Sequence, residues 1–357
     1  MRTIFYGVMG EGRGHAARAR AMTERLRGEA RVALFTSNDA LAFLRTAYAG
    51  DAEVEVRDIP GLKFHYRGDQ LNNVKTVTEG LRFWAALGRN ARAMDDAFRS
   101  EKPDLVVTDF EPLVARAARR HGVPVVSLDH QHFLSTYDLT SLPKRLQRWA
   151  WLMSWSIWAF DLRQQRTIVS AFYKPPLRAA CDGVTQVGPL LRPAVAERTA
   201  HRGGHVLSYL RRATPPRVVD LLTESPLPVK VYGLGDRPPR GAVTFHPIDE
   251  DTFLDDLAGC DCVVAAAGNQ LLGEALHFGK PVLALPEEHH HEQNINACFL
   301  EQMGAGERRT LERFAGADLA GFLERREAYR TNLAESDEHF DGVEAAASAV
   351  MDAIERL

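Results

Sequence analysis

The sequence predicts an α/β protein built on parallel sheets, and three observations lead there. Short apolar strands alternate with amphipathic helices from Thr3 to Leu128, and the same alternation restarts at His205. Between Val263 and Gly306 an apolar run meets a glycine and a helical segment, then a second strand (Pro281–Pro286), a polar loop and another helix. Strand–helix alternation with short connections favours a parallel sheet, because each strand needs a crossover before its parallel neighbour.

In chain order, Thr3–Val8 reads as the first strand, His15–Leu26 as a helix, Val32–Thr36 as a strand and Asp39–Ala47 as a helix. Glu53–Asp58 is a further strand, and a long helix follows near Val77–Arg99. Then come strand Leu105–Asp109, helix Leu113–His121 and strand Val123–Leu128. Residues 144–173 break the pattern with one helical stretch carrying Trp149, Trp151, Trp155, Trp158 and Phe160, ended by Pro175-Pro176. Strand Gly183–Val187 leads to Gly188-Pro189, Arg192 and a polar linker around Ala196–Gly204. The second half supplies strands His205–Tyr209, Val229–Tyr232, Val243–Phe245 and Cys262–Ala266, with helices Pro216–Glu224 and Asp251–Ala258. Glu335–Leu357 reads as a terminal helix.

A chain of 357 residues accommodates two domains. A net charge of −3 gives no electrostatic case for nucleic acid as a partner. The 37 arginines against 7 lysines fit a genomic bias better than 37 phosphate contacts. Four scattered cysteines make no disulfide framework, and Cys260-Asp261-Cys262 lacks the second pair of a zinc site. The start, MRTIFYGVMG, is too short in apolar residues for a signal peptide, and no run approaches the roughly 20 residues of a membrane span. A cytoplasmic location is expected.

The first strand ends in Gly10-Glu11-Gly12-Arg13-Gly14-His15. The spacing misses the dinucleotide fingerprint G-x-G-x-x-G, and no acid closes the second strand cleanly. Besides a plain turn, the loop reads as a site that sets His15 at the carboxyl edge of the sheet, where an imidazole can deprotonate a hydroxyl. Its orienting partner is expected at Asp109, with Glu111 in reserve; the competing role for Asp109 is to cap the next helix. His130 and His132 end another strand and either touch a ligand or line a loop. Consecutive residues diverge, so His289-His290-His291 is not expected to hold a metal ion. Gly268 at a strand-to-helix turn suits an anion. Glu274 one turn on, Glu292-Gln293 and Asn296 suit sugar hydroxyls, the alternative for the last three being an ordinary helical turn. The tryptophan stretch, flanked by Lys144, Arg145, Arg148, Arg163 and Arg166, reads first as packing against a cleft and second as a peripheral membrane contact over 144–166.

Taken together the chain resembles the GT-B glycosyltransferases, nearest to the MurG-like bacterial and archaeal proteins and more distantly to plant secondary-product enzymes. The likeness runs almost full length and is carried by Gly10–Arg18, by PDLVVTDFEP at Pro103–Pro112, by Gly188–Arg192 and by Phe245–Gly306. It implies two Rossmann-like domains facing across a cleft: 1–195 for the acceptor, with helix 335–357 returning to it, and 204–334 for the nucleotide sugar. His15 falls on the general base and Asp109 near its aspartate partner. Gly12, Arg13, Gly14, Glu111 and His130 would border the acceptor. Phe245 and Ile248 fall on the loop that reads the base, usually uracil. Gly268, Asn269 and Gln270 fall on the diphosphate loop, Glu274 on the ribose acid, and Glu292 and Gln293 on the pair that holds the sugar. The plant-type histidine before the glycine is Ala266 here, and Leu271 replaces a common Thr or Ser, so phosphate binding leans on backbone amides and on Arg192 or Arg211. The expected activity is inverting, metal-independent transfer of a hexose from a UDP- or dTDP-sugar to a hydroxyl, with no cofactor beyond that co-substrate. A nucleotide-sugar hydrolase and a catalytically silent binding subunit are the alternatives.

Overall fold

A computed structural model describes residues 1–63, 66–67, 70–71, 73–160, 163–181, 183–211 and 214–356. The chain forms two compact units. One comprises Met1–Leu139, Ala150–Arg192 and Asp341–Leu357, the other Thr140–Trp149 and Pro193–Phe340. The division therefore follows Arg192 rather than the linker at 196–203, and ten residues inside the first half belong to the second unit.

The first unit contains β1 (Arg2–Val8), α1 (Arg13–Leu26), β2 (Ala30–Thr36), α2 (Asn38–Ala47), β3 (Glu55–Asp58), a small hairpin of β4 (Tyr66–Arg67) and β5 (Gln70–Leu71), α3 (Asn73–Ala93), α4 (Asp95–Glu101), β6 (Leu105–Asp109), α5 (Pro112–His121), β7 (Val125–Asp129) and α6 (Phe133–Thr136). Helix α7 (Lys144–Phe160) enters it at Ala150, and β8 (Arg166–Ser170) and β9 (Val184–Val187) complete it. Seven parallel strands lie in the order β3-β2-β1-β6-β7-β8-β9. Alternate residues of β1 feed opposite layers: Ile4, Tyr6 and Val8 pack toward α1 and α2, Phe5 toward α3 and α5. Burial on both faces is why these strands read as continuous apolar runs.

Three expectations for this half are corrected. The helical stretch of 144–173 stops at Phe160, and Arg166–Ser170 is a strand paired with β7. Its Thr167, Ile168 and Val169 are β-branched, and the sheet has a place for them. The long helix near 77–99 is two helices, α3 and α4, broken at Met94.

The second unit runs α8 (Pro193–Ala196), β10 (Val206–Tyr209), α9 (Pro216–Thr223), β11 (Val229–Tyr232), β12 (Val243–His246), α10 (Glu250–Gly259), β13 (Cys262–Ala265), α11 (Asn269–His277), β14 (Val282–Ala284), α12 (His291–Gln302), β15 (Gly306–Arg308) and α13 (Gly316–Glu335). Its six parallel strands are ordered β12-β11-β10-β13-β14-β15. The terminal helix, α14 (Val343–Arg356), starts eight residues later than expected, where the Asp341 carboxylate accepts the Val343 N–H at 3.1 Å. Val343, Ala346, Ala347, Val350 and Ala353 join the core beside α1.

Both sheets reverse their strand order beside the first strand of the unit, at β1/β6 and at β10/β13. The crossovers leave on opposite sides there, opening a crevice at the carboxyl ends of the strands.

Candidate functional site

In the first unit the crevice is built by the loop after β1 and the end of β6. Val8 lies in register with Asp109, and the Met9 N–H donates to the Asp109 carbonyl at 3.0 Å. Gly10 passes against Ser37, whose Oγ would stand 2.1 Å from any added Cβ, and Gly12 takes φ +91°. The helix can therefore begin at Arg13, two residues earlier than expected, with His15 in its first turn.

His15 Nδ1 lies 2.8 Å from Asp109 Oδ1. Asp109 is fully buried and also receives Arg18, from Nη2 to Oδ1 at 2.8 Å and from Nε to Oδ2 at 3.2 Å. With Nδ1–H donating to the carboxylate, Nε2 keeps its lone pair and is the basic nitrogen. Burial works against the Arg18 charge, but Asp109 outweighs it and holds the guanidinium above its usual range. Burial, and then the Asp109 charge, push the Tyr6 phenol well up. Arg18 went unnoticed in the sequence, although its i,i+3 spacing from His15 places both on one helix face.

The competing role for Asp109 belongs to Glu111. Its carboxylate caps α5, accepting Leu113 N–H at 2.8 Å and Val114 N–H at 2.7 Å. Burial pushes this carboxyl up to about 7 despite both hydrogen bonds. Glu111 is thus a buried cap. Between the two acids Phe110 adopts φ +53°, a left-handed conformation costly for a bulky residue, with its ring stacked on Phe160 at 4.2 Å.

His130 is buried too, its Nδ1 3.1 Å from the Ser170 carbonyl and its ring against Phe133 and Tyr173. His132 Nδ1 meets Asp129 Oδ2 at 2.7 Å. Burial opposes the Asp129 charge, but His132 overcomes it and holds the acid down at about 2. Gly12 and Arg13 are exposed, and Gly14 and His15 are half-buried.

In the second unit β13 ends at Ala265, and Gly268 precedes α11 in extended conformation with no side chain capping the helix. A helix start of this kind, with its dipole, suits an anion. Asn296, expected to meet sugar hydroxyls, is instead fully buried and donates to the Ala267 carbonyl at 3.0 Å, pinning that turn. Asn269 and Glu274 are buried, and Gln270 Nε2 donates to Glu274 Oε1 at 3.0 Å across one turn. Gln293 is buried as well: its side-chain oxygen accepts the Glu287 N–H at 3.2 Å, so part of its capacity fixes the loop. Glu292 is half-buried, Phe245 is buried under Arg237, and Ile248 is exposed. Arg211 pairs with Glu287 at 3.0 Å. Arg192 closes the Ala150–Arg192 stretch of the first unit, whereas the residues expected to hold the donor belong to the second.

The three consecutive histidines do separate jobs. His290 Nδ1 caps α12, His291 packs on Trp149 with centroids 4.7 Å apart, and His289 is exposed. Among the described residues no three His, Cys, Asp or Glu side chains gather as a metal site requires.

Packing, the first reading of the tryptophan stretch, fits Trp149 only. Trp151, Trp155 and Trp158 are 60%, 55% and 76% exposed, and Leu152 is exposed beside them. At the helix end, Phe160 packs on Trp84 at 5.2 Å. From there α3, α5 and Arg163 frame a basin of 510 Å³ lined by Gly88, Arg92, Arg116, Arg119, Arg120 and Arg163. Among the described residues no helix is long and apolar enough to cross a membrane.

The chain is 26% identical over 330 residues to an uncharacterized glycosyltransferase of Methanosarcina acetivorans, covering 85% of this chain and 83% of that one. Its fold is similar to Acinetobacter baumannii MurG, with a TM-score of 0.65 and 14% identity over all of both chains. It is also similar to a Polygonum tinctorium UDP-glucosyltransferase, with a TM-score of 0.69 and 12% identity over 99% of this chain and 98% of that one. The family profile for glycosyl transferase family 1 matches residues 2–326, and this chain, a glycosyltransferase of GT-B fold, belongs to that family.

Proposed function

We propose that the enzyme transfers a hexose, with inversion, from a UDP- or dTDP-sugar to a hydroxyl of a small-molecule or lipid acceptor. The observation that carries this reading is the 2.8 Å contact of His15 Nδ1 with the buried Asp109, which turns Nε2 into the base. His15 takes the acceptor proton as the oxygen bonds to the anomeric carbon and the bond to the diphosphate breaks. Such a base contributes about 10²–10⁴-fold. The leaving diphosphate would lie on the uncapped start of α11, where N–H groups and the helix dipole stabilise its charge without a metal ion. Asn269 and Gln270 would touch phosphate, Glu274 the ribose, Phe245 and Ile248 the base, and Glu292 the sugar. A UDP-glucosyltransferase among the structural relatives supports the choice of donor.

Incubation with UDP- and dTDP-sugars in EDTA, with and without a panel of hydroxyl acceptors, tests the proposal. Glycoside formed only with acceptor supports it. Release of free sugar without acceptor identifies a hydrolase, and a melting shift without turnover identifies a binding subunit.

A peripheral contact with a cytoplasmic membrane face is favoured by one observation. The exposed Trp151, Leu152, Trp155 and Trp158 lie on a helix that ends three residues before Arg163, one of the arginines lining the basin. Interfacial tryptophan and a cationic basin suit an anionic bilayer.

A further inference from the structure

We propose that Arg18 is a positioning residue for the His15 base: it fixes the Asp109 carboxylate and sets a positive charge against it beside the imidazole. The proposal deepens the reading of His15 as the base. A carboxylate with no exposed surface would normally be paired or would take up a proton itself. Asp109 is paired twice, and the two partners compete for it. Arg18 grips both oxygens, which fixes the carboxylate plane and presents Oδ1 to His15 Nδ1. A guanidinium does not deprotonate, so the Arg18 charge beside Asp109 is permanent.

The second consequence is electrostatic. Arg18 Nη2 lies 3.0 Å from His15 Nδ1, about as close to the ring as Asp109 is. With Nδ1 protonated, two donors face each other there, so this approach is a charge contact rather than a hydrogen bond. An aspartate alone would favour the imidazolium, a ring already carrying the proton it is meant to take. The cation at equal range cancels most of that pull while leaving the orienting hydrogen bond intact. Among the described residues, the charged groups in contact with the ring are Arg18 on its own helix and Asp109 on β6. Behind them stand Tyr6 on β1 and Asp129 on β7, both coupled to the Arg18–Asp109 pair.

Charge cancellation makes a signed test possible. Full-length protein labelled with ¹⁵N-histidine is titrated by NMR, following the His15 ring nitrogens, alongside the pH profile of kcat/KM. Removing the cation, Arg18→Met, should move the His15 midpoint up by about one pH unit, a tenfold change in proton affinity. Removing the anion, Asp109→Asn, should move it down by a similar amount. Removing both should return it near the wild-type value. Arg18→Lys keeps the charge but cannot grip both oxygens, so its midpoint stays close to wild type while kcat falls several-fold. Should Arg18→Met not fold, the downward shift in Asp109→Asn and its cancellation in the double variant decide. Unchanged midpoints in the folded variants, or shifts of the same sign, would overturn the proposal. Midpoints that move while the kcat/KM profile does not would remove His15 as the base and leave the control by Arg18 standing.

Discussion

Asp109→Asn separates two jobs that one carboxylate performs. The amide keeps a single acceptor oxygen where the native side chain takes three donor contacts, from His15 Nδ1 at 2.8 Å and from Arg18 at 2.8 and 3.2 Å. Arg18 then keeps a full charge in a buried site with at most a neutral partner. Breaking a buried ion pair from one side costs about 3–5 kcal/mol, so the thermal transition of the first unit should fall by on the order of 10 °C. The catalytic cost is smaller. His15 loses a charge-assisted hydrogen bond of about 1.5–3 kcal/mol, which is roughly ten- to a hundredfold in kcat. Scanning calorimetry gives the first number, and nucleotide release at a temperature where the variant is folded gives the second. A variant that melts with the wild type would refute the claim that Asp109 is the counter-charge of a buried arginine. Full turnover would refute its hold on His15.

Glu274→Ala should weaken UDP and UDP-sugar binding about ten- to a hundredfold by calorimetry, since the ribose loses a charged acceptor; unchanged affinity removes the ribose assignment. The Glu111 carboxyl is pushed from 4.5 up to about 7 in the folded protein, so the native state binds the extra proton in that window. Its contribution to stability is greatest below about pH 4.5 and declines by about 3 kcal/mol as pH rises to 7. Melts of Glu111→Gln between pH 4.5 and 7.5 should show that decline removed; a slope equal to wild type contradicts it. Replacing Trp151, Trp155 and Trp158 together by Ser should cut sedimentation with phosphatidylglycerol vesicles at least tenfold, while phosphatidylcholine vesicles retain neither protein. Equal sedimentation of variant and wild type would dismiss the membrane contact.

The fold was readable in sequence where one physical signal acted alone. Apolar runs closed by glycine or a cap marked β1, β6, β10 and β13, and these strands carry both crevices. The strand at Arg166–Ser170 was lost because Trp149–Phe160 extends an apolar pattern up to it, and only sheet pairing decides between strand and helix there. At the site, the edge shared by His15 and Asp109 followed from strand register, since any two parallel strands end on one side. Whether Asp109 or Glu111 caps the next helix could not follow, because both acids precede Pro112 and the choice rests on the turn that Phe110 makes at positive φ. Arg18 was hidden by composition: among 37 arginines a buried one looks like the rest. The backbone contacts of His130, Asn296 and Gln293 were likewise illegible, because a polar residue in a loop looks the same whether or not it holds backbone.

The central claim is that His15 Nε2 takes the acceptor proton in transfer from a nucleotide sugar. Its most direct test is His15→Ala measured twice, for kcat on the acceptor that the wild-type enzyme glycosylates and for donor affinity by calorimetry. The account predicts a loss of roughly 10²-fold or more in kcat, with the affinity for UDP-sugar nearly intact, because the donor residues belong to the other unit. A His15→Ala enzyme that glycosylates its acceptor at near-normal rate would contradict it.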